Sequence, residues 1–271
     1  MKHGAFCFTL ITNEPALAER GDRAGVDVIG VDTERLNKAV RQGHVPDARI
    51  SDHELSDLTR LKPVVRAARL FARVNPLHDG SRQEVECAVA NGASVLMLPY
   101  FVSAREVEGF VRLVDGRART VLLLETAAAV VRLHDIVAVP GVDEVMVGLN
   151  DLHLSTGVSS HFELVASDLM NLIAEQVHRH GLRFGFGGLA RANDDTLPVA
   201  SDLVLAQHAR LGSTSAWISR SFFGRDPASV DVRTEVARLR ERLAYWQSQP
   251  AAVLEQQRDR LRRHLRASGA G

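Results

Sequence analysis

A closed parallel α/β barrel, (β/α)8 in its repeat and carrying additional C-terminal helices, is the fold this sequence predicts, and three observations carry that expectation. Short apolar runs alternate with longer amphipathic segments, the pattern of strands and helices around a parallel sheet. Eight such runs occur, and most are apolar throughout, as strands covered on both faces must be. The length of 271 residues suits one barrel better than two domains.

The first run, Ala5 to Thr12, is too short for a signal segment or a membrane span and reads as a buried strand. The second, Val26 to Thr33, leads into a polar connection from Asp32 to Ser51 that contains Arg41, Gly43, His44 and Pro46, either a functional loop or a solvated crossover. Ser51-Asp-His-Glu54 has the capping-box pattern of a helix start, and Ser103-Ala-Arg-Glu106 repeats it. The remaining strands are Leu70 to Asn75, Ser94 to Pro99, Thr120 to Glu125, Glu144 to Gly148, Arg183 to Gly187 and Ser213 to Ser219. Gly92, Gly116 and Gly181 sit where helices should stop before the next strand.

The barrel is expected over residues 1–230 and a helical extension over 231–271. Asp231 to Gln247 places Val236, Leu239, Leu243 and Trp246 at helical spacing, and Pro250 ends it. Ala251 to Arg266 is an arginine-rich helix with a sparse seam at Leu254, Leu261 and Leu265, suited to packing on the barrel or on a neighbouring subunit.

Composition narrows the function. Thirty-three basic residues balance 33 acidic ones, so no net field draws the chain to nucleic acid or to an anionic membrane. Cys7 and Cys87 are too few for a disulfide framework; they read as core thiols in a reducing cytoplasm. Only Lys2, Lys38 and Lys62 are lysines, leaving arginine as the other 30 basic residues. None of the three ends a strand, which disfavours a Schiff-base mechanism.

Barrel enzymes work at the carboxyl ends of their strands, and here those ends are polar. Glu125 follows Val-Leu-Leu-Leu directly, and Asp151 follows Val145-Met-Val-Gly-Leu-Asn. Each carboxylate alone is as well explained by a cap or a salt bridge. Two on adjacent strand ends, with no histidine or cysteine cluster, suit a hard ion such as Mg²⁺ or Mn²⁺. Such an ion stabilises the enolate of a 2-oxo acid as a C–C bond forms or breaks. Arg73 should stabilise an enolate oxygen or bind a carboxylate, unless it closes the barrel with Asp32 or Glu34. Asn150, Gly148, Glu34, Arg220 and the amides of Gly187 and Gly188 complete the substrate-binding set, although a tight turn explains the glycines equally well.

At these residues the sequence resembles the HpcH/HpaI aldolase and citrate lyase beta-subunit superfamily, from about Val26 to Gly157. The resemblance rests on Ala72-Arg-Val-Asn75, the stretch Asn91 to Pro99, Leu124-Glu-Thr-Ala127, and Pro140-Gly-Val-Asp143 leading to Gly148-Leu-Asn-Asp-Leu152. It implies a TIM barrel, Mg²⁺ or Mn²⁺ held by Glu125 and Asp151, Arg73 on the substrate carbonyl, and a homo-oligomer, trimer or hexamer. One departure matters: pyruvate-type members carry a histidine after Asp-x-Glu, where this chain has Asp32-Thr-Glu-Arg35. Proton transfer then falls to His53, His44, a metal-bound water or the substrate itself, and Arg35 joins the candidate catalytic residues.

The expected function is a metal-dependent, class II-type aldolase or lyase acting on a pyruvate-like oxo acid and an aldehyde or acyl acceptor. A CoA-thioester lyase of the citrate or malyl type and a non-catalytic oxo-acid-binding barrel are the alternatives.

Overall fold

The computed structural model describes residues 6–36, 51–194, 196–224 and 226–269. Eight parallel strands close into a barrel in chain order: β1 (Cys7–Ile11), β2 (Val28–Asp32), β3 (Arg69–Arg73), β4 (Val95–Leu98), β5 (Arg119–Leu124), β6 (Glu144–Val147), β7 (Arg183–Leu189) and β8 (Ser215–Ile218). Every strand falls on one of the apolar runs, because each strand is covered twice. In β5, Val121 and Leu123 face the axis while Leu122 and Leu124 face the helices, and all four are buried. The axial set is Cys7, Val28, Phe71, Val95, Met97, Val121, Leu123 and Met146.

The period of two then dictates what lies at the rim. Continuing the inward parity of Val28, Phe71, Leu123 and Met146 brings Asp32, Arg73, Glu125 and Gly148 to the C-terminal mouth. The same parity places Glu144 and Arg119 at the opposite end. There Glu144 accepts a hydrogen bond from Ser215 Oγ at 2.5 Å and lies 3.7 Å from Arg119 and 3.6 Å from Arg183. Burial, reinforced by Glu144, pushes the Cys7 thiol up to about 12, so it is an inert core group as expected. Cys87 is not a core thiol: it lies exposed on its helix, at a position facing away from the sheet.

The outer helices are α1 (Pro15–Arg23), α2 (Asp57–Leu61), α3 (Ser81–Ala90), α4 (Ala104–Val114), α5 (Ala127–Val131), α6 (Leu133–Val137), α7 (Leu149–Thr156), α8 (His161–Ala166), α9 (Asp168–Arg179), α10 (Ser201–Arg210) and α11 (Arg220–Phe223), with α12 (Val232–Gln247) and α13 (Ala251–Ala267) beyond the last strand. Among the described residues, no helix is long and apolar enough to cross a membrane. Ser103 and Glu106 form the expected reciprocal capping box of α4. The one expected at Ser51 to Glu54 is absent. Helix α2 starts at Asp57, whose carboxylate accepts the Glu54 amide at 2.9 Å, while His53 is drawn to the end of β2. The expected helix stops at Gly92, Gly116 and Gly181 have φ of 102°, 68° and 70°, conformations that side chains disfavour.

The C-terminal helices lie on the barrel itself. Val236, Leu239, Leu243 and Trp246 of α12 are buried, as are Leu254, Leu261 and Leu265 of α13, which packs on α10 and α8. Arginine forks fix them: Arg240 donates to Phe6 O at 2.9 Å and Gly25 O at 2.6 Å, and Arg258 and Arg262 each donate to Ala166 O at 2.9 Å. Trp246 Nε1 and Arg242 share Asp202.

On the buried face of α10 a histidine offers a stability test. His208 stacks on Phe186 at 3.8 Å between centroids and meets Ser213 Oγ at 2.9 Å. Burial pushes its pKa down to about 3, so the folded chain holds it neutral where the unfolded chain would protonate it. The folded pKa lies below the unfolded one. Its contribution is therefore complete above pH ~6.5 and is lost as pH falls towards 3. In His208→Phe, the slope of unfolding free energy against pH between 6 and 4, read by urea titration, should be shallower than wild type by about 1 kcal/mol per pH unit.

Candidate active site

Register sets the first contact at the mouth. Asp32 pairs with Arg73 across β2 and β3, both pointing inward, and Arg73 donates to Asp32 from Nε at 2.7 Å and from NH2 at 2.5 Å. Its NH1 lies 3.5 Å from Glu34, and its guanidinium sits 5.5 Å from the Trp217 ring centroid. Burial alone would lower the guanidinium's pKa, but Asp32, Glu34 and Glu125 more than offset it and the net shift is upward. Arg73 is a permanent cation. Asp32 takes two of its five N–H donors, and the NH1 edge faces Glu34.

The turn after β2 is shaped by the same group. Asp32 Oδ1 accepts the Glu34 amide at 3.2 Å, and the Thr33 amide and hydroxyl both donate to Arg73 O. Glu34 is thereby held beside Arg73 at 1% exposure. Arg35 turns away: its amide donates to Asn75 Oδ1 at 2.8 Å, and its guanidinium donates to Asp52 O and His53 O, each at 3.2 Å. It fastens the loop instead of lining the mouth. His53 Nδ1 accepts the Asp32 amide at 3.2 Å, which puts the ring proton of the neutral form on Nε2. Burial lowers its pKa against the pull of Asp32, Asp52 and Asp57. Held in this way, His53 anchors the loop to the end of β2 and is not the helix cap that the sequence suggested. His44 and Lys38 lie outside the described residues.

Glu125 leaves β5 inward at 2% exposure. Its Oε1 accepts the Tyr100 amide at 3.0 Å. Its Oε2 faces Gly148, where an added Cβ would come within 2.6 Å of that oxygen. Directly after it, Thr126 caps α5 through Ala129 N and donates its hydroxyl to Phe101 O. Asp151 occupies the first turn of α7, where a carboxylate is favoured by the helix dipole, and is 6% exposed. The Ala127 amide donates to Ser155 Oγ at 2.8 Å and so ties α5 to α7.

Other expected binding residues are spread around the rim. Asn150 and Arg220 are exposed at the starts of α7 and α11. Gly187 and Gly188 do not form a loop beyond β7; they lie inside it, at an irregularity between Gly185 and Gly188. Each is pressed by a neighbour: an added Cβ would meet Leu149 Cδ1 at 2.8 Å from Gly187 and Ser219 Cβ at 2.9 Å from Gly188. Close packing explains these glycines. Two features at the mouth were missed in the sequence. Trp217 follows Ser215 by two on β8 and was legible from parity, whereas Tyr100, at φ 50°, has no residue type that announces a left-handed backbone.

Among the described residues, no group of three or more His, Cys, Asp or Glu side chains forms a metal cage. The pair Glu125 and Asp151 nonetheless fits a hard divalent ion. Both donors are buried carboxylates, and at Gly148, where an added Cβ would stand 2.6 Å from Glu125 Oε2, the backbone comes close to that oxygen.

A closed (β/α)8 barrel with inward acids and one fixed arginine at its C-terminal mouth belongs with the barrel enzymes. The chain belongs to the HpcH/HpaI aldolase/citrate lyase family, a family of carbon–carbon lyases whose model matches residues 5–195. No curated protein matches the sequence. Among solved structures, an HpcH/HpaI aldolase/citrate lyase family protein from Burkholderia cenocepacia is 17% identical with a TM-score of 0.62, over 82% of this chain and 91% of that one. An HpcH/HpaI aldolase from Desulfitobacterium hafniense is 18% identical with a TM-score of 0.62, over 92% and 95%. RipC from Yersinia pestis is 14% identical with a TM-score of 0.60, over 94% and 100%.

The pair at the mouth generates a prediction. Asp32→Ala leaves the Arg73 charge without its bidentate acceptor and should cost about 3–5 kcal/mol of unfolding free energy, measured in urea.

Proposed function

We propose that this chain is a divalent-metal-dependent lyase of the class II aldolase type, making or breaking a C–C bond through the enolate of a pyruvate-like oxo acid. What supports the reading is Glu125 and Arg73 on the inward rows at the C-terminal mouth, together with a second buried carboxylate, Asp151, in the first turn of the helix after β6. Glu125 and Asp151 would hold the ion, Mg²⁺ or Mn²⁺. When bound, it supplies Lewis acidity to the carboxylate and keto oxygens of an oxo acid.

Arg73 supplies what the ion does not. Its charge persists at any working pH, and its orientation is set before substrate arrives, so it pays no reorganisation as an enolate oxygen develops. Arg220, exposed at the start of α11 just after β8, would meet an anionic acceptor. Arg35 is withdrawn from that role by its bonds to Asp52 and His53.

The test is α-proton exchange of pyruvate in deuterated water, followed by NMR with Mg²⁺ or Mn²⁺ and with acetyl-CoA tried separately. Glu125→Gln and Asp151→Asn should each slow metal-dependent exchange by at least about a hundredfold, with thermal melting that still reports a folded barrel. Wild-type exchange in neither compound would defeat the reading, and exchange in acetyl-CoA alone would transfer it to a thioester lyase.

A further inference from the structure

We propose that Asn75 is a positioning residue whose side chain carries the β2–β3 ladder past the end of the sheet and so holds Glu34 against Arg73 at the mouth. The proposal rests on the lyase reading for what Glu34 and Arg73 do to a substrate. The two strands are in register through Asp32 and Arg73, and just beyond them the Thr33 amide donates to Arg73 O at 2.9 Å. Bonds along a parallel pair recur every second residue on each strand. The next would run from the Arg35 amide to Asn75 O. It does not form; the Arg35 amide donates instead to the side-chain oxygen, Asn75 Oδ1, at 2.8 Å, and the Leu36 amide joins it at 2.9 Å.

The backbone of Asn75 has been drawn elsewhere. Its amide donates to both oxygens of Glu84, at 3.1 and 3.3 Å, and its Nδ2 donates to Glu84 Oε1 at 2.7 Å. Glu84 lies in the first turn of α3, where the helix dipole favours a carboxylate. Its Oε2 also lies 3.3 Å from His78 Nε2, and His78 Nδ1 accepts the Gly80 amide at 3.1 Å, which leaves the proton of the neutral ring on the nitrogen that faces Glu84. A carboxylate fixed from two sides therefore dictates which end of the Asn75 amide points where. Nδ2 is committed to Glu84, and Oδ1 is turned to Arg35 and Leu36.

The chemistry requires asparagine. An aspartate in its place would set two carboxylates against each other, and an alanine would leave both loop amides without this acceptor. The consequence falls on Glu34. Its own amide is held by Asp32 Oδ1 at 3.2 Å, and the amide that follows it is held by Asn75, so the residue is fixed on both sides with its carboxylate 3.5 Å from Arg73 NH1. Asn75 stands two residues after Arg73 on the same inward row. The strand that presents the arginine thus also places the acid beside it.

Two measurements test this, with thermal melts confirming folded variants. Without metal or substrate, hydrogen exchange of the Arg35 amide, followed by NMR, should be at least about tenfold faster in Asn75→Ala than in wild type. In pyruvate α-proton exchange the same variant should raise KM about fivefold or more and leave kcat within about twofold, because substrate must then order the turn that carries Glu34 while Asp32 still orients Arg73. Loss of folded enzyme would lower kcat instead. Asn75→Asp should match Asn75→Ala in both readouts. The double variant Asn75→Asp/Glu84→Gln exchanges donor and acceptor between the two side chains and keeps an oxygen towards Arg35 and Leu36. It should bring both the amide and KM back to within about threefold of wild type.

An Arg35 amide unchanged in Asn75→Ala, a KM that stays constant while kcat falls, or a double variant no better than Asn75→Asp would each overturn the proposal. A wild type that exchanges the protons of neither pyruvate nor acetyl-CoA would defeat the lyase reading. The Arg35 amide would then decide the proposal alone, upheld by acceleration in Asn75→Ala with recovery in the double variant and overturned by either result failing.

Discussion

The mouth of this barrel is organised by one buried charge pair, Arg73 with Asp32. Register makes them neighbours and parity turns both inward, so neither can reach bulk water without unwinding a strand end. A guanidinium in that position is tolerable only with its counter-charge in bidentate contact. The rest of the rim follows from meeting that condition. Asp32 fixes the turn that carries Glu34, the carbonyl of Arg73 holds Thr33, and the ring of Trp217 covers the guanidinium. Two carboxylates beside one arginine leave the rim acidic, and the approach of a cation or of a metal–substrate pair is favoured accordingly.

The excess of arginine over lysine has a structural side. Apart from Arg73, several arginines reach backbone carbonyls far away in the chain. Arg20 reaches Pro227 O, Arg240 spans Phe6 O and Gly25 O, and Arg258 and Arg262 converge on Ala166 O, the last carbonyl of α8. A planar fork can serve two acceptors at a fixed angle, and an ammonium on a flexible stem cannot. The C-terminal helices are thus held by carbonyl clamps as much as by their sparse apolar seams.

The strands were legible because both their faces are buried, which writes each one as an unbroken apolar run. The terminal helices were legible from Val236, Leu239, Leu243 and Trp246 at helical spacing. Site residues on the strands could be read for the same reason: Glu125 and Arg73 continue an inward row that begins with Leu123 and Phe71. Loop residues could not. Arg35 and His53 carry the right chemistry at the right distance along the chain, yet their bonds to Asp52 O and to the Asp32 amide depend on where a connection folds back. The failed capping box at Ser51 has the same origin, since Asp57 captured the amide that local pattern assigned elsewhere. Tyr100 was invisible because its backbone is set by the turn around it and not by its own preference.

The far end of the axis bears on traffic through the molecule. Glu144, Arg119, Arg183 and Ser215 knot together beneath the apolar interior, with Phe71, Val121 and Met146 stacked above them. Nothing larger than a water molecule could thread that stack, so the vessel has a single door. With the floor closed in this way, a molecule that enters over Glu125 and Arg73 leaves past them as well.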